Sequence, residues 1–249
     1  MKKYFKIFLE FNYIQFNSII EQSIDQKIKG YICVVDANVL TMAQSNNTYL
    51  KVLNEAMVNT CDGSSIASMA GIIYKQEFRA FNGPDVFKKY IEKDYKQLLL
   101  GSTEETSIRI KKTLKSKGFD TAHLSLLPLP FLNIDKFDFK AIAQEINLIK
   151  PDIIWVSLGA PKQELFMNSI LHYLDKGVMF GIGAAFNFYV GDLGMPSFRI
   201  GGLRFIWLNR LINEPKKLIG RISSYILIMP SLFISEYRRS KNMNKTDNS

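Results

Sequence analysis

Residues 151–164 read PDIIWVSLGAPKQE, and this stretch decides the fold. The apolar centre of Asp152–Ser157 predicts a strand that is buried on both faces, as the strands of a parallel sheet are. Gly159 and Pro161 then predict a tight turn, and the pattern over Gln163–Leu174 predicts a helix. A buried strand, a short turn and a helix form the repeating unit of an α/β fold.

The same unit recurs along the chain. Further strands are predicted at Tyr31–Val35, Gln97–Leu100, His123–Leu127 and Gly177–Phe180, and further helices at Val39–Met57, Ser107–Lys117 and Phe139–Ile149. This alternation predicts a Rossmann-like, mainly parallel sheet with helices on both faces. We place this α/β core at residues 1–202 and a basic helical appendage with a polar tail at residues 203–249.

Composition excludes several classes of protein. With 249 residues, of which 47% are hydrophobic, the chain is long enough and apolar enough to bury a proper core. The chain has only two cysteines and two histidines. A disulfide scaffold, a cysteine zinc site and a histidine-rich metal site are therefore not expected. The net charge of +9 is concentrated in residues 201–249, which indicates an anionic partner.

Neither end of the chain predicts a spanning segment. Lys6 and Glu10 interrupt the apolar N-terminus, which therefore does not resemble a signal peptide. The uncharged run Ile222–Ser235 is too short to cross a bilayer, which takes roughly 20 residues. Its basic flanks fit a helix lying at a membrane interface, and a core-packing helix with a solvated basic tail explains the run equally well.

Ligands of parallel sheets bind at the carboxyl ends of the strands, so five loops are candidates for a site. They are Asp36–Asn38, Cys61–Ser65, Gly101–Thr103, Gly159–Gln163 and Gly181–Asn187.

Several patterns in these loops have two interpretations. Gly181–Phe186 is an incomplete dinucleotide fingerprint, for which a tight turn or a close approach to another ligand is the better explanation. Gly101–Thr103 fits a phosphate site, but a helix N-cap explains it more simply. Asp62 fits either a structural turn or a group that takes a proton from a hydroxyl. Three cations at helical spacing, Arg210, Lys217 and Arg221, fit either a diphosphate site or a solvated face.

Taken together, the motifs resemble one family, the WecG/TagA/CpsF glycosyltransferases, from about Tyr31 to Arg221. The motifs that carry the resemblance are Asn38, Cys61-Asp62-Gly63, Asn82-Gly83-Pro84-Asp85, Leu100-Gly101, Pro151-Asp152-Ile153, Leu158-Gly-Ala-Pro-Lys-Gln-Glu164, Gly181–Gly191 and Trp207–Lys217. The Gly-x-Pro-Lys-Gln-Glu loop and the tail around Trp207, in this order and spacing, are the specific ones.

The resemblance implies an inverting, metal-independent transferase without a cofactor. It implies a UDP-sugar donor carrying N-acetylmannosamine, a uronic acid or a hexose, and a polyprenyl-diphosphate-linked sugar as acceptor. It further implies a cytoplasmic protein, peripheral on the inner face of the cell membrane, that contributes to capsule, exopolysaccharide or teichoic-acid-type polymers. It does not decide whether the protein forms a homo-oligomer.

The resemblance also implies roles for particular residues. Asp62 matches the catalytic base. Arg210 and Lys217 match cations that stabilise the departing diphosphate. Arg221 lies next to the position at which the family has a third such cation. Asn38 matches a residue near the donor sugar, Gln163 a nucleotide-loop residue and Asn187 an aspartate that contacts uracil. The predicted substrate-binding set is Asp36, Asn38, Gly63, Asn82, Gly83, Asp85, Gly101, Gly159, Pro161, Lys162, Gln163, Glu164, Gly183 and Asn187.

Departures from the family pattern leave a second hypothesis open. The family has threonine or a similar residue where Asp36 stands and aspartate at Asn187, and Gly194, Ile206 and Gly220 also differ. A catalytically decayed member would bind a lipid diphosphate or a partner protein without turnover. A nicotinamide-dependent oxidoreductase is remote because the fingerprint is broken. Nucleic-acid binding is not predicted, because the basic tail shows no recognisable module and a membrane is the better anionic surface.

Overall fold

The computed structural model describes residues 2–183, 185–191, 199–200, 203–204 and 228–242. The strands are β1 Lys3–Tyr4, β2 Ile7–Phe8, β3 Gly30–Val35, β4 Val58–Cys61, β5 Gln97–Leu100, β6 Leu124–Leu127, β7 Ile153–Val156, β8 Val178–Gly181, β9 Arg199–Ile200 and β10 Leu203–Arg204. The helices are α1 Tyr13–Asp25, α2 Ala37–Ser45, α3 Asn47–Glu55, α4 Ser64–Tyr74, α5 Gly83–Ile91, α6 Glu104–Ser116, α7 Phe139–Ile149, α8 Lys162–Ile170, α9 Ala185–Tyr189 and α10, residues 228–242.

One six-stranded parallel sheet organises the chain. Its strand order is β4-β3-β8-β7-β5-β6. Val35 pairs with Cys61, and Cys33 and Val156 both pair with Gly181. All carboxyl ends of the strands therefore lie at one edge of the sheet. β1 and β2 form a separate antiparallel hairpin, and the chain then runs beside β4 through a parallel bridge between Glu10 and Thr60.

Helices cover both faces of this sheet, which explains why the central strands β3, β8 and β7 are apolar throughout. On β3, Tyr31 and Cys33 pack with α2, α3, α4, α7 and α8, a layer we call the α2 face. Ile32, between them, packs on the opposite side with α1, α5, α6 and α9, which we call the α5 face. Trp155 follows the same alternation on β7. Its indole lies on the α5 face, 4.8 Å from the Phe87 ring. The predicted α/β fold with two covered faces is confirmed.

The predicted single helix over Val39–Met57 is wrong. The chain forms two helices, α2 and α3, which are separated at Asn46. Asn46 has extended backbone angles, and its side chain accepts a hydrogen bond from the Tyr49 N–H. An asparagine that caps a new helix in this way competes with continuation of the old one. The helix predicted over Gln163–Leu174 also ends early, at Ile170, and a 3-10 turn follows at Leu171–Tyr173.

The described part of the Ile222–Ser235 run packs on the core. In α10 the buried residues Leu232, Glu236 and Ser240 recur every four positions, so one helical face meets the α2-face cluster. Ile234 and Tyr237 on the same helix are 50% and 41% exposed. The buried face fits the interpretation as a core-packing helix, and the exposed apolar side chains fit the interpretation as a helix at a membrane interface. No helix within the described ranges combines the length and the apolar character that crossing a bilayer requires.

Candidate active site

The chain changes sides of the sheet at β8. Beyond β3 and β7 it enters α2 and α8, whose Leu40 and Met167 pack on the α2 face. Beyond β8 it enters α9, whose Phe186 packs on the α5 face. Neighbouring strands whose connections leave in opposite directions open a crevice at their carboxyl ends, and ligands of α/β proteins bind there. The loops after Val35 and Gly181 border this crevice.

Two aspartates, Asp36 and Asp62, directly follow the adjacent strands β3 and β4. The Asp62 N–H donates to the Val35 carbonyl oxygen at 2.9 Å, so Asp36 and Asp62 continue the register of the two strands. Adjacent strands are about 4.8 Å apart. Asp36 also caps α2, since its Oδ1 accepts from the Val39 N–H at 2.8 Å. Both aspartates are half-buried. Gly63 follows with φ of +138°, a conformation that turns the chain into α4 and that suits glycine.

The Asn82–Asp85 motif reaches the same edge of the sheet from the α5 face. The Phe81 N–H donates to the Cys61 carbonyl oxygen, which joins this segment to the residue before Asp62. Asn82 caps α5: its Oδ1 accepts from the Asp85 N–H and its Nδ2 donates to the Asp85 carboxylate, both at 2.9 Å. Gly83 is buried, and a Cβ there would lie 3.5 Å from Val34. The motif therefore brings the N-terminus of α5 to the candidate site.

Gln163 holds the loop that follows β8. Its Oε1 accepts a hydrogen bond from the Gly183 N–H at 3.1 Å, and its Nε2 donates to Glu164 at 2.8 Å. Ser157, at the end of β7, donates from its hydroxyl to the Gly183 carbonyl oxygen at 2.8 Å. Gly183 is thus fixed through both its N–H and its C=O. Gln163 is only 4% exposed, so most of its surface is used inside the protein.

Glu164 is a fully buried carboxyl group. Its other oxygen accepts from the Tyr49 hydroxyl of α3 at 3.0 Å. The pKa of Glu164 is raised from 4.5 to about 7, mainly by burial and to a smaller extent by the negative charge of Asp36, while hydrogen bonds from Gln163 and Tyr49 oppose the rise. The same burial, together with Glu164, raises the pKa of Tyr49. Sequence reasoning did not identify Tyr49, which lies 115 positions from Glu164 along the chain.

The remaining predicted residues line the other loops of this edge. Thr103 caps α6, since its hydroxyl accepts from the Thr106 N–H at 3.2 Å, and this confirms the N-cap interpretation of Gly101–Thr103. Gly159 and Pro161 form the turn before α8. The Lys162 ammonium lies 5.2 Å from the centre of the Phe131 ring, on the loop after β6. Asn38 is half-buried in the first turn of α2.

Four predicted residues fall outside the description of the site. Arg210, Lys217 and Arg221 lie outside the described residues. The backbone of Asn187 belongs to α9, but its side chain is also outside them.

The comparisons with known proteins agree with this architecture. The family model described as "Glycosyl transferase WecG/TagA/CpsF family" matches residues 7–243. The chain belongs to this glycosyltransferase family.

Three relatives carry the name N-acetylglucosaminyldiphosphoundecaprenol N-acetyl-beta-D-mannosaminyltransferase. The Bacillus subtilis (strain 168) protein is 26% identical over 196 residues, which cover 77% of this chain and 75% of the relative. The Bacillus spizizenii protein is 25% identical over 206 residues, covering 78% and 75%, and that of Staphylococcus aureus (strain MRSA252) is 22% identical over 205 residues, covering 80% and 78%. The WecG/TagA/CpsF resemblance is therefore confirmed, and the chain is a glycosyltransferase.

Proposed function

We propose that this chain transfers a sugar from a UDP-sugar to a polyprenyl-diphosphate-linked sugar, with inversion and without a metal, in the synthesis of a bacterial surface polymer. The observation that carries the proposal is the position of Asp62 at the end of β4, beside the crevice at β8 where the chain changes sides. The names of the relatives favour N-acetylmannosamine as the donor sugar and N-acetylglucosaminyl-diphosphoundecaprenol as the acceptor. The product would enter a capsule, an exopolysaccharide or a teichoic-acid-type polymer.

Asp62 is proposed to act as the general base. Its carboxylate takes the proton of the acceptor hydroxyl while the hydroxyl oxygen attacks the anomeric carbon of the donor. The bond between that carbon and the phosphate oxygen breaks, and UDP leaves with the bonding electrons. Attack from the face opposite the diphosphate inverts the anomeric configuration. Arg210, Lys217 and Arg221 are proposed to stabilise the negative charge that builds up on the departing diphosphate.

The other site residues divide into two groups in this proposal. Asn38 and Lys162 are half-buried, so part of each side chain remains for contact with the donor or the acceptor. Gln163 and Glu164 are buried, and we propose that they act by holding the Gly183 loop in place. Helices α2, α4, α5, α6 and α8 all begin at this edge, and the partial positive charge of helix N-termini favours a diphosphate there.

The test is an assay of UDP release by the purified full chain. A panel of UDP-sugars is combined with a short polyprenyl-diphosphate-linked N-acetylglucosamine, with UDP binding measured separately by calorimetry. We expect release with one donor, and a decrease of about 10²–10⁴-fold in kcat for Asp62→Asn with unchanged affinity for UDP. Asp138→Asn is the matched control, because Asp138 only caps α7 and asparagine caps equally well.

Three outcomes are informative. Full activity of Asp62→Asn would remove Asp62 as the base. UDP binding without release for any donor in the panel would favour the second hypothesis, a decayed member that binds a lipid diphosphate or a partner. Absence of UDP binding would contradict the proposed donor class.

A further inference from the structure

Polar contacts fix the two ends of the described chain to each other. The Arg239 guanidinium of α10 donates to the Lys3 carbonyl oxygen of the β1–β2 hairpin and to the carboxylate of Glu236. The Tyr74 hydroxyl, at the end of α4, donates to the same carboxylate at 2.6 Å and accepts from Arg239 at 3.1 Å. Glu236 is only 3% exposed. Buried charge pairs of this kind hold a defined geometry, so the hairpin and α10 present one joint surface.

The outward face of α10 combines apolar and basic side chains. Because Leu232, Glu236 and Ser240 point inward, Ile234, Tyr237, Arg238 and Lys241 occupy the opposite side of the helix. Ile234 and Tyr237 are 50% and 41% exposed, and the Lys241 ammonium lies 4.9 Å from the centre of the Tyr237 ring. Exposed aliphatic and aromatic groups with cations beside them are typical of helices that lie in a lipid interface.

Three exposed lysines, Lys2, Lys3 and Lys6, lie in or next to the hairpin that α10 contacts. The Lys2 ammonium lies 4.7 Å from the centre of the Tyr74 ring, which places it beside α10. Residues 2–10, 74–79 and 228–242 together carry eight Lys or Arg against three carboxylates. Glu236 is paired with Arg239 and another of the three, Glu77, with Arg79. The surface is therefore strongly positive.

A groove leads from this surface to the candidate active site. Its volume is about 1000 Å³, and its lining extends from Lys2 and Tyr4 of the hairpin to Phe81 and Asp85. Phe81 is hydrogen-bonded to the residue before Asp62, so the far end of the groove adjoins the proposed base. The lining includes several aromatic rings, among them those of Phe11 and Phe78, whose centres are 4.4 Å apart.

We propose that the hairpin lysines Lys2, Lys3 and Lys6 and the outer face of α10 form one docking surface for an anionic lipid bilayer. The inference rests on the proposed function, because a polyprenyl-linked acceptor is presented at a membrane. It adds the N-terminal hairpin to the basic C-terminal part of the chain as a determinant of binding. The cations attract anionic headgroups, Ile234 and Tyr237 enter the interface, and the groove opens at the lipid.

The test compares full-length variants in vesicle co-sedimentation. Phosphatidylglycerol-containing vesicles and pure phosphatidylcholine vesicles serve as probes. Each basic residue at an anionic surface contributes roughly a fivefold change in partition, so Lys2→Gln/Lys3→Gln/Lys6→Gln should weaken binding to anionic vesicles by about 100-fold. The matched control carries Lys112→Gln/Lys115→Gln/Lys140→Gln, three exposed lysines of α6 and α7 near β6, at the other edge of the sheet. We expect this control to bind like the wild type.

A second surface variant and an assay of UDP release allow membrane docking to be tested separately from the proposed transfer reaction. Ile234→Ser/Tyr237→Ser should also weaken vesicle binding, whereas release of UDP with a water-soluble acceptor should stay at the wild-type rate in both surface variants. Vesicle binding of the hairpin triple variant at wild-type strength would overturn the inference, and so would an equal loss in the α6–α7 control. Binding of single-stranded RNA as tightly as vesicles through the same lysines would overturn the assignment to lipid. A wild type that binds anionic vesicles but releases no UDP would leave the docking surface supported and contradict the transferase proposal.

Discussion

Replacing Glu164 by Gln should change how the stability of the protein depends on pH. Glutamine keeps the shape of the side chain and lacks the charge. Its Oε1 can accept from Gln163, and its Nε2 can donate to the Tyr49 hydroxyl, because a hydroxyl group is both donor and acceptor. The local hydrogen bonds are therefore retained, and the difference between the two proteins isolates the ionisation of one buried carboxyl.

The magnitude follows from the raised pKa. Burial moves the pKa of Glu164 from 4.5 to about 7. Since its folded value lies above its unfolded value, the carboxyl contributes stability at pH below 4.5 and loses that contribution as the pH rises through 7. At about 1.4 kcal/mol per pH unit, the full loss is roughly 3 kcal/mol, most of it between pH 5 and pH 8. The glutamine side chain does not ionise in this range, so the variant should not lose this stability.

The assay is urea unfolding of wild type and variant at a series of pH values, followed by tryptophan fluorescence. Other titrating groups contribute equally to both proteins, so the difference between their midpoints reports Glu164. Relative to the wild type, the midpoint of Glu164→Gln should rise by about 1 M urea between pH 5 and pH 8. Glu145→Gln on the exposed side of α7 removes the same charge and should follow the wild type. Parallel midpoints for Glu164→Gln and wild type across this range would refute the reasoning.

Two further predictions concern the interior of the sheet. Gly181→Ala should lower stability by about 1–3 kcal/mol, because its Cβ would lie 2.7 Å from the methyl carbon of the fully buried Met167 and 3.2 Å from the Gln163 amide nitrogen, which Glu164 holds in place. Gly83→Ala meets only ordinary contacts and should be nearly neutral. Thermal unfolding distinguishes them, and equal melting temperatures would contradict the packing argument. Gln97→Leu should cost about 1–3 kcal/mol in urea unfolding, because the buried Trp155 N–H loses its acceptor at 2.7 Å. An unchanged midpoint would show that this hydrogen bond contributes little.

The strands that sequence reasoning found are those with continuous apolar centres. Ile153–Val156 and Gln97–Leu100 were predictable because both sheet faces are covered, and every position of these strands except Gln97 carries an apolar side chain. Val58–Cys61 was not predicted, because Asn59 and Thr60 occupy its middle. Both are fully buried, and the Asn59 amide donates to the Phe8 and Leu53 carbonyl oxygens. A polar residue whose partners lie in a distant hairpin and helix gives no local sign of a strand.

The candidate site was predictable at the level of loops. The carboxyl ends of parallel strands must meet, so the loops after Val35 and Gly181 could be grouped before their geometry was known. The contact between Tyr49 and Glu164 was not predictable, because it depends on how α3 packs against α8. The break at Asn46 that positions Tyr49 is a local capping effect, but nothing local indicates which buried carboxyl the tyrosine meets.

Burial separates the residues of the Pro-Lys-Gln-Glu motif by task. A side chain that contacts a substrate must present surface, yet Gln163 and Glu164 are 4% and 0% exposed. Their polar atoms are directed at Gly183 and Tyr49, so a substitution there should displace the β8 loop and weaken donor binding indirectly. Asp62 is half-buried at the edge of the crevice, and its loss should lower turnover with donor binding intact. Residues at one edge of the sheet can therefore give opposite kinetic signatures, because they occupy different depths of that edge.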